Sequence, residues 1–542
     1  MKKTLAMVLT LVMALAMMCP ALADSGNFNP DGEYPLLKEK VALTVGIGQH
    51  ANVEDWETNW QTLLIEELAN VDLSFVTYGS EMMSQITLAI TSEAELPDIL
   101  ITNATSGGLS LELLYQWALA GKLVPLNDYV EQYGYYLKDA IARTGVDFLP
   151  LVTSPDGCLY TMPQYNQSLT NEATDKIWIY QPWLDKLELA APTNAEELYN
   201  VLKAFKTLDP NGNGEADEIP LIASTNEYED SWWRAIMNMY IYAADEHQSV
   251  KDGKVFYYAA TEEYREGLKY IRSLLDEGLI DPMTFTADKA QVRALVNAEV
   301  PVVGMTMGQA PFGTVNTPRI GEYVGIEPFK DANGVARTTF TPSLPKPAAM
   351  ITNDCDDPEA AFRVLDLFYR DDISIINHWG EEGVHWERAP EGMKASMKNM
   401  DFNASFKELE TLWGTVQNVM WYQCGPWARE YAIASGRIIP ENPLTTAYGA
   451  NMIQYAYSAA YPAADEYIPR FIYTEEESDE ISLMLTDLET YIKTARTNFM
   501  MNAEGMDINS DESWNNYLDQ LNVIGMEDIL KVQQAVYDRM YK

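Results

Sequence analysis

Apolar positions in the first hundred residues recur with two alternating periods. Val41 to Ile47 reads as a strand, Trp56 to Ala69 as a helix, and Val71 to Tyr78 as a strand with Val71, Leu73 and Phe75 on one face. Met82, Ile86 and Ile90 then mark a helix, and Pro97-Asp98-Ile99-Leu100-Ile101 starts another strand. Alternation at this spacing predicts βαβ units and a mainly parallel sheet.

The same grammar returns after a strand signal at Trp178 to Tyr180. Leu198, Val201, Leu202 and Phe205 fall at helical spacing within 195–208, so one face is apolar. Thr261 can cap a helix carrying Tyr264, Leu268, Ile271 and Leu275, with Gly278 to end it, and Asp357-Pro358 opens another with Phe362, Leu365 and Phe368. Beyond residue 395 the chain reads as mostly helical and aromatic, closing on an amphipathic segment from Glu527 to Tyr541. No repeat, heptad array or low-complexity tract occurs, which disfavours a solenoid or coiled coil. Two α/β lobes are the expected architecture.

The N-terminus changes the picture of where such a protein works. Lys2 and Lys3 precede an apolar run from Leu5 to Met18, and Ala21-Leu22-Ala23 supplies a small-x-small cleavage pattern, so residues 1–23 read as an export signal and Asp24 as the mature start. The run is shorter than the ~20 residues a membrane-spanning helix needs. Cys19 leaves open a lipid anchor, although Met18 stands where a small residue normally precedes an acylated cysteine. A net charge of −43 argues against nucleic acid, whose phosphates require clustered Lys and Arg. The mature chain keeps Cys158, Cys355 and Cys424 without C-x-x-C spacing, so at most one disulfide can form and buried small hydrophobes are the simpler reading.

The sharpest local signal is Asp209-Pro210-Asn211-Gly212-Asn213-Gly214-Glu215-Ala216-Asp217-Glu218. Oxygen-bearing side chains at its first, third, fifth and ninth positions, with Gly at the sixth, match the opening of a calcium loop. Pro220 replaces the bidentate Glu of an EF-hand, a part Glu218 can take, and Ile219 to Ala223 looks like a strand rather than a second helix. An Asx-rich turn held by its own side chains is the alternative. Calcium here would be structural, because the loop brings no nucleophile or base.

That loop and its flanks carry a resemblance. Trp183-Leu184-Asp185-Lys186-Leu187, Ala191-Pro192-Thr193, Leu202-Lys203-Ala204-Phe205-Lys206 and the loop itself resemble extracellular solute-binding proteins of family 1, in the lipoprotein-like and alginate-binding branch. Pro97-Asp98-Ile99, Gly121-Lys122-Leu123-Val124-Pro125-Leu126, Tyr160-Thr161-Met162-Pro163, Gly278-Leu279-Ile280-Asp281-Pro282 and Gly380-Glu381-Glu382-Gly383 continue the series across nearly the whole mature chain. The resemblance implies a two-lobe, type II-like periplasmic-binding-protein fold with extra C-terminal helices. The N-terminal lobe is expected at 24–160 plus 345–395, the C-terminal lobe at 161–344 plus 396–542, and the first crossings near Met162 to Gln167 and Thr339 to Pro345. It also implies calcium on Asp209, Asn211, Asn213, the Glu215 carbonyl, Asp217 and Glu218.

By the same resemblance the chain is an exported, monomeric receptor that delivers an oligosaccharide to the permease of an ABC importer by closing its lobes. A sugar face packs on flat rings, and its hydroxyls pair with planar polar side chains. With 13 Trp and 32 Tyr available, the candidates are Gln164, Tyr165, Trp178, the doublet Trp232-Trp233, His385-Trp386, Trp421 and Trp427. Core packing is the alternative for each Trp, and the doublet is expected on an extended segment that exposes one ring. Thirty-seven Lys and Arg against 80 Asp and Glu favour a neutral sugar over a uronate polymer, unless local arginines in the site say otherwise. No G-x-S-x-G, H-E-x-x-H or P-loop is present, and the four histidines do not cluster at metal-ligand spacing, so no enzyme is expected. A surface adhesin and a glycoside hydrolase, which needs only two carboxylates, remain the rivals.

Overall fold

A computed structural model describes residues 26–542 except 103–107, 169–171, 174, 226–231, 244–246, 309–314, 316, 396–402, 411, 414, 435, 439–467 and 469–470. The export signal, Cys19 and Asp24 lie outside the described residues. The chain divides into two compact units. One takes the chain up to Tyr165 with Pro345–His385 and Thr411–Arg429; the other takes Asn166–Leu344, Trp386–Glu410 and Glu430–Lys542.

The first unit is built on a six-stranded sheet. Val41–Gly48 lies one strand in from an edge, parallel to the edge strand Val71–Tyr78 on one side and to Ile99–Ile101 on the other. Lys346–Ile351 runs antiparallel to Ile99–Ile101 and to Met162–Asn166, so the latter two point the same way, and Trp427–Arg429 closes the edge. The helix expected from Trp56 begins at Trp60, because the Asn59 side chain caps it by accepting from the Gln61 amide. Trp56 is left before the cap and packs into the core against Phe75 and Trp421. Asp357 caps Pro358–Leu367 through the Ala360 amide, as the Asp-Pro signal predicts.

The second unit has a four-stranded sheet in the order Tyr323–Ile326, Ile177–Tyr180, Val303–Met307, Ile219–Leu221. Ile177–Tyr180 is antiparallel to both neighbours, and only Ile219–Leu221 and Val303–Met307 pair in parallel. Helix Ala195–Thr207 buries the predicted face of Leu198, Val201, Leu202 and Phe205. Thr261 caps Glu262–Asp276, and Gly278 follows it with a φ of 60°. The region beyond residue 395 is not mostly helical at its start. Among the described residues strands Phe406–Glu408 and Trp427–Arg429 come first, and the long helices are Glu475–Met501, Asp511–Ile524 and Met526–Tyr541. Gly425 at a φ of 87° and Pro426 stop any helix between them.

Among the described residues no helix is long and apolar enough to cross a membrane. Cys158, Cys355 and Cys424 are all free thiols, and burial pushes Cys355 and Cys424 up to about 12.

Gly304 lies in the central strand of the second sheet. A Cβ there would collide with Phe205 and stand 2.9 Å from Trp183 Cζ3. Gly304→Ala is therefore expected to lower unfolding stability by ~1–3 kcal/mol through overpacking. An unchanged denaturation midpoint would show that the two rings move aside freely.

Candidate functional site

In open α/β sheets ligands gather beyond the carboxyl ends of the strands. In the first unit that edge is where Val41–Gly48 passes into Gln49 and His50. The segment from Gln417 to Gly425 arrives there without regular structure of its own, so its backbone groups need other partners. Backbone bonds with Asn52, Glu54, Trp60 and Gln61 supply some of them at its start, and buried side-chain amides supply others. Gln417 Oε1 accepts from the Val419 and Met420 amides at 2.6 and 2.8 Å, and Gln61 Oε1 accepts from Trp421 N at 2.8 Å. Asn377 Oδ1 accepts from Gln423 N at 2.9 Å while its nitrogen donates to Cys424 O at 2.9 Å. Gln164 Nε2 donates to Gln423 O and Gly425 O at 2.5 and 2.8 Å.

Held this way, Tyr422 and Gln423 adopt left-handed φ values of 52° and 67°. Side chains rarely tolerate that region, so the surroundings must impose it. The result is a column of rings. His50 lies 4.3 Å from Tyr422, Tyr422 stacks on Trp413 at 4.3 Å and 15°, and Trp413 stacks on His378 at 4.6 Å and 4°. His378 in turn lies 4.1 Å from Trp379. Burial holds the His50 imidazole below its ordinary pKa, so it is neutral at neutral pH. Of the thirteen tryptophans eleven are buried, Trp60 is half-buried, and only Trp413 is exposed, at 44%. That one ring couples a fixed orientation to contact with solvent.

The residues singled out from the sequence are placed differently. Gln164, Tyr165, Trp421 and Trp427 belong to the first unit and His385 closes one of its segments; all five are buried. Trp421 lies in the core, its Nε1 donating to Thr62 Oγ1 at 2.8 Å; Trp427 Nε1 donates to Gln423 O at 3.1 Å. Tyr165 stacks on Phe148, and His385 Nδ1 accepts from the Glu381 amide. Trp178, Trp232, Trp233 and Trp386 belong to the second unit and are buried too. Trp178 Nε1 donates to Gly308 O at 2.9 Å, and Trp386 meets Phe406 edge to face. The doublet does not lie on an extended segment: it opens helix Trp232–Met237, and the expected exposed ring is absent. Trp232 packs on Phe285, while Trp233 stacks on His247. Sequence reasoning passed over Trp413, Tyr422, His378 and His50, which come from three separate stretches of the chain with no shared spacing.

The calcium-like loop belongs to the second unit. Asp209 accepts from the Gly212 and Gly214 amides, Asn211 Oδ1 from Asn213 N, and Asn213 Oδ1 from Glu215 N. The Asn211 and Asn213 side-chain nitrogens both donate to the Asp217 carboxylate. Lys186 ties the loop down through the Pro210 carbonyl at 2.8 Å. Glu218 Oε1 is enclosed without a hydrogen-bond partner. Burial raises the Glu218 pKa, and the charges of Asp209 and Asp217 add to that against backbone hydrogen bonds from Glu218 and Asn211. Among the described residues no three His, Cys, Asp or Glu side chains are gathered as a metal cluster. In donor type and in the orphaned Glu218 oxygen the residues fit a hard cation; their present hydrogen bonds are those of an Asx-rich turn.

Comparison with known proteins gives this geometry a family. The model of bacterial extracellular solute-binding proteins matches residues 50–373, more than half of the chain. The fructooligosaccharide ABC transporter substrate-binding protein FusA of Streptococcus pneumoniae serotype 4 is 26% identical, over 98% of this chain and 97% of its own. A solved structure of FusA with kestose superposes with a TM-score of 0.70 at 25% identity, covering 92% of this chain and 99% of that one. A structure of a FusA EF-hand mutant with fructo-nystose matches with the same TM-score and coverage at 24% identity.

Two substitutions separate scaffold from surface. Gln164→Leu strands two buried carbonyls and is expected to destabilise by ~1–3 kcal/mol, whereas Trp413→Ala is expected to stay within ~0.5 kcal/mol of the parent. Denaturant melts giving the opposite order would contradict this division.

Proposed function

The chain belongs to the bacterial extracellular solute-binding proteins, and from that premise we propose that it is the oligosaccharide receptor of an ABC importer. The observation that carries the reading is the end-to-end match to FusA, whose name states a fructooligosaccharide ABC transporter substrate-binding role. The exposed Trp413 at the carboxyl edge of the first sheet supplies a surface suited to such a ligand. Sugars present C–H groups to aromatic rings, and a ring already immobilised by its neighbours loses little entropy on contact.

Tyr422 and His378 stack on that ring and His50 backs Tyr422, and the neutral His50 imidazole can accept as well as donate to hydroxyls. Of the nine residues inferred from the sequence, Gln164, Tyr165, His385, Trp421 and Trp427 belong to the unit that carries this ring column, and Gln164 supports it through the Gln423 carbonyl. The chain passes between the two units five times, and these units are the two lobes whose closure a permease would sense. Export through residues 1–23, with or without an anchor at Cys19, completes the assignment, and the receptor acts as a monomer. The related proteins are binding proteins of transport systems, which favours binding over hydrolysis; an absence of new reducing ends after incubation with bound glycans is expected.

Calcium enters as a structural ion on the 209–218 loop, held by Asp209, Asn211, Asn213, the Glu215 carbonyl, Asp217 and Glu218. When bound it neutralises the clustered carboxylates and satisfies the Glu218 oxygen. The FusA EF-hand mutant shows that the EF-hand designation applies to that relative.

Two outcomes are expected. Trp413→Ala weakens oligosaccharide binding by roughly 2- to 12-fold, from an aromatic contact of ~0.5–1.5 kcal/mol, and unaltered calorimetric affinity would remove Trp413 from the site. For the ion, a folded carboxyl pKa raised above its unfolded value stabilises nothing at neutral pH; it penalises the ionised loop once pH exceeds the ordinary Glu value. Without calcium Glu218→Gln therefore melts above the parent at pH 7, and with calcium below it. Melting curves that ignore both chelator and calcium would defeat the calcium assignment.

A further inference from the structure

Arg429 is 1% exposed at the end of strand Trp427–Arg429. Its guanidinium lies 3.8 Å from the Trp427 ring centroid and 5.1 Å from that of Trp379. Nε donates to Ser374 O at 3.0 Å. The outer edge of the fork is nearly idle. Nη1 reaches Gln423 Oε1 only at 3.4 Å, and Nη2 is enclosed with no partner. Arg234, Arg265 and Arg437, all likewise secluded, pair with Asp175, Asp511 and Glu408. No carboxylate of the described residues does this for Arg429, and burial alone lowers its pKa, to about 9. Stacking on two indoles compensates part of the lost hydration but leaves the charge without a counter-ion.

The position of this cation gives it meaning. Trp379 connects it to His378 and so to Trp413, while Gln423 connects it to Tyr422, so both arms of the ring column end on Arg429. The unpartnered Nη2 and the weakly paired Nη1 form the end-on edge that matches a carboxylate in bidentate fashion, and a neutral amide oxygen at 3.4 Å is a weak occupant of it.

We propose that Arg429 selects an acidic oligosaccharide, receiving a sugar carboxylate end-on at Nη1 and Nη2 in place of the Gln423 amide. This rests on the receptor reading and narrows its ligand class, against the neutral sugar that whole-chain composition favours. Total charge is an average over 542 residues, whereas selection depends on the groups within hydrogen-bond reach.

The test uses the full mature protein and calorimetry with matched pairs: oligogalacturonates, other uronate-bearing oligosaccharides and sialyl-oligosaccharides, each beside its carboxyl-reduced form, with fructooligosaccharides included. The expected result is an acidic member bound at least about tenfold tighter than its reduced partner, with the preference abolished in Arg429→Gln and partly kept in Arg429→Lys. Equal or tighter binding of neutral members overturns the proposal and leaves the receptor reading standing, as does an acidic preference that survives in Arg429→Gln. Should Arg429→Gln fail to fold, the parent's acidic-to-reduced ratio decides alone. Failure of every saccharide, acidic or neutral, sinks the receptor reading itself.

Discussion

Side-chain amides buried at one sheet edge are the constraint on which the candidate site depends. The Gln417–Gly425 segment forms no helix and no strand, yet it runs through the interior of the first unit, where each unmet N–H or C=O costs about as much as a lost hydrogen bond. Gln61, Gln164 and Asn377 meet those groups from three separate stretches of chain, and Gln417 does so from within the segment itself. Because every amide bonds at a defined angle, the segment has one conformation available to it. Tyr422 is thereby fixed, and through Tyr422 the rest of the ring column. A core of Leu and Val could fill the same volume but could not orient this backbone.

The two loops of interest use hydrogen bonding in contrasting ways. At 417–425 most partners, Gln61, Gln164 and Asn377, are remote in sequence, and Gln417 adds bonds from within, so the loop is tied to the body of the unit. At 209–218 the partners are the loop's own Asp and Asn side chains, largely exposed, together with Lys186. Local bonds of this kind give shape without much depth of stability. On the proposed calcium assignment the second loop is the one whose order responds to ions and pH, while the first responds mainly to substitution.

Much of the fold was legible because its signals are local. The caps at Asp357 and Thr261, the apolar face of Ala195–Thr207 and the strands at Val71–Tyr78 and Ile177–Tyr180 all follow from residues within a few positions of one another. The start of the Trp60 helix was misplaced because an Asn cap outweighs the apolar residue before it. The strands between residues 395 and 430 were missed because aromatic content there was read as helix, although Gly425 and Pro426 argue for turns. The site was the least legible part. His50, His378, Trp413 and Tyr422 meet only through long-range packing, and a Trp at a surface turn carries no local sign that sets it apart from the eleven in the core. Family resemblance pointed to the calcium-like loop and to a receptor, but not to which rings are presented.

The most direct measurement of the central claim is hydrogen exchange across the chain, with and without a saturating oligosaccharide identified by screening. The account predicts that added protection concentrates at residues around His50, at 412–429 and at the end of strand Met162–Asn166, where the amide-held loop meets the sheet edge. Saturable binding that protects other segments and leaves all three of these unchanged would contradict it.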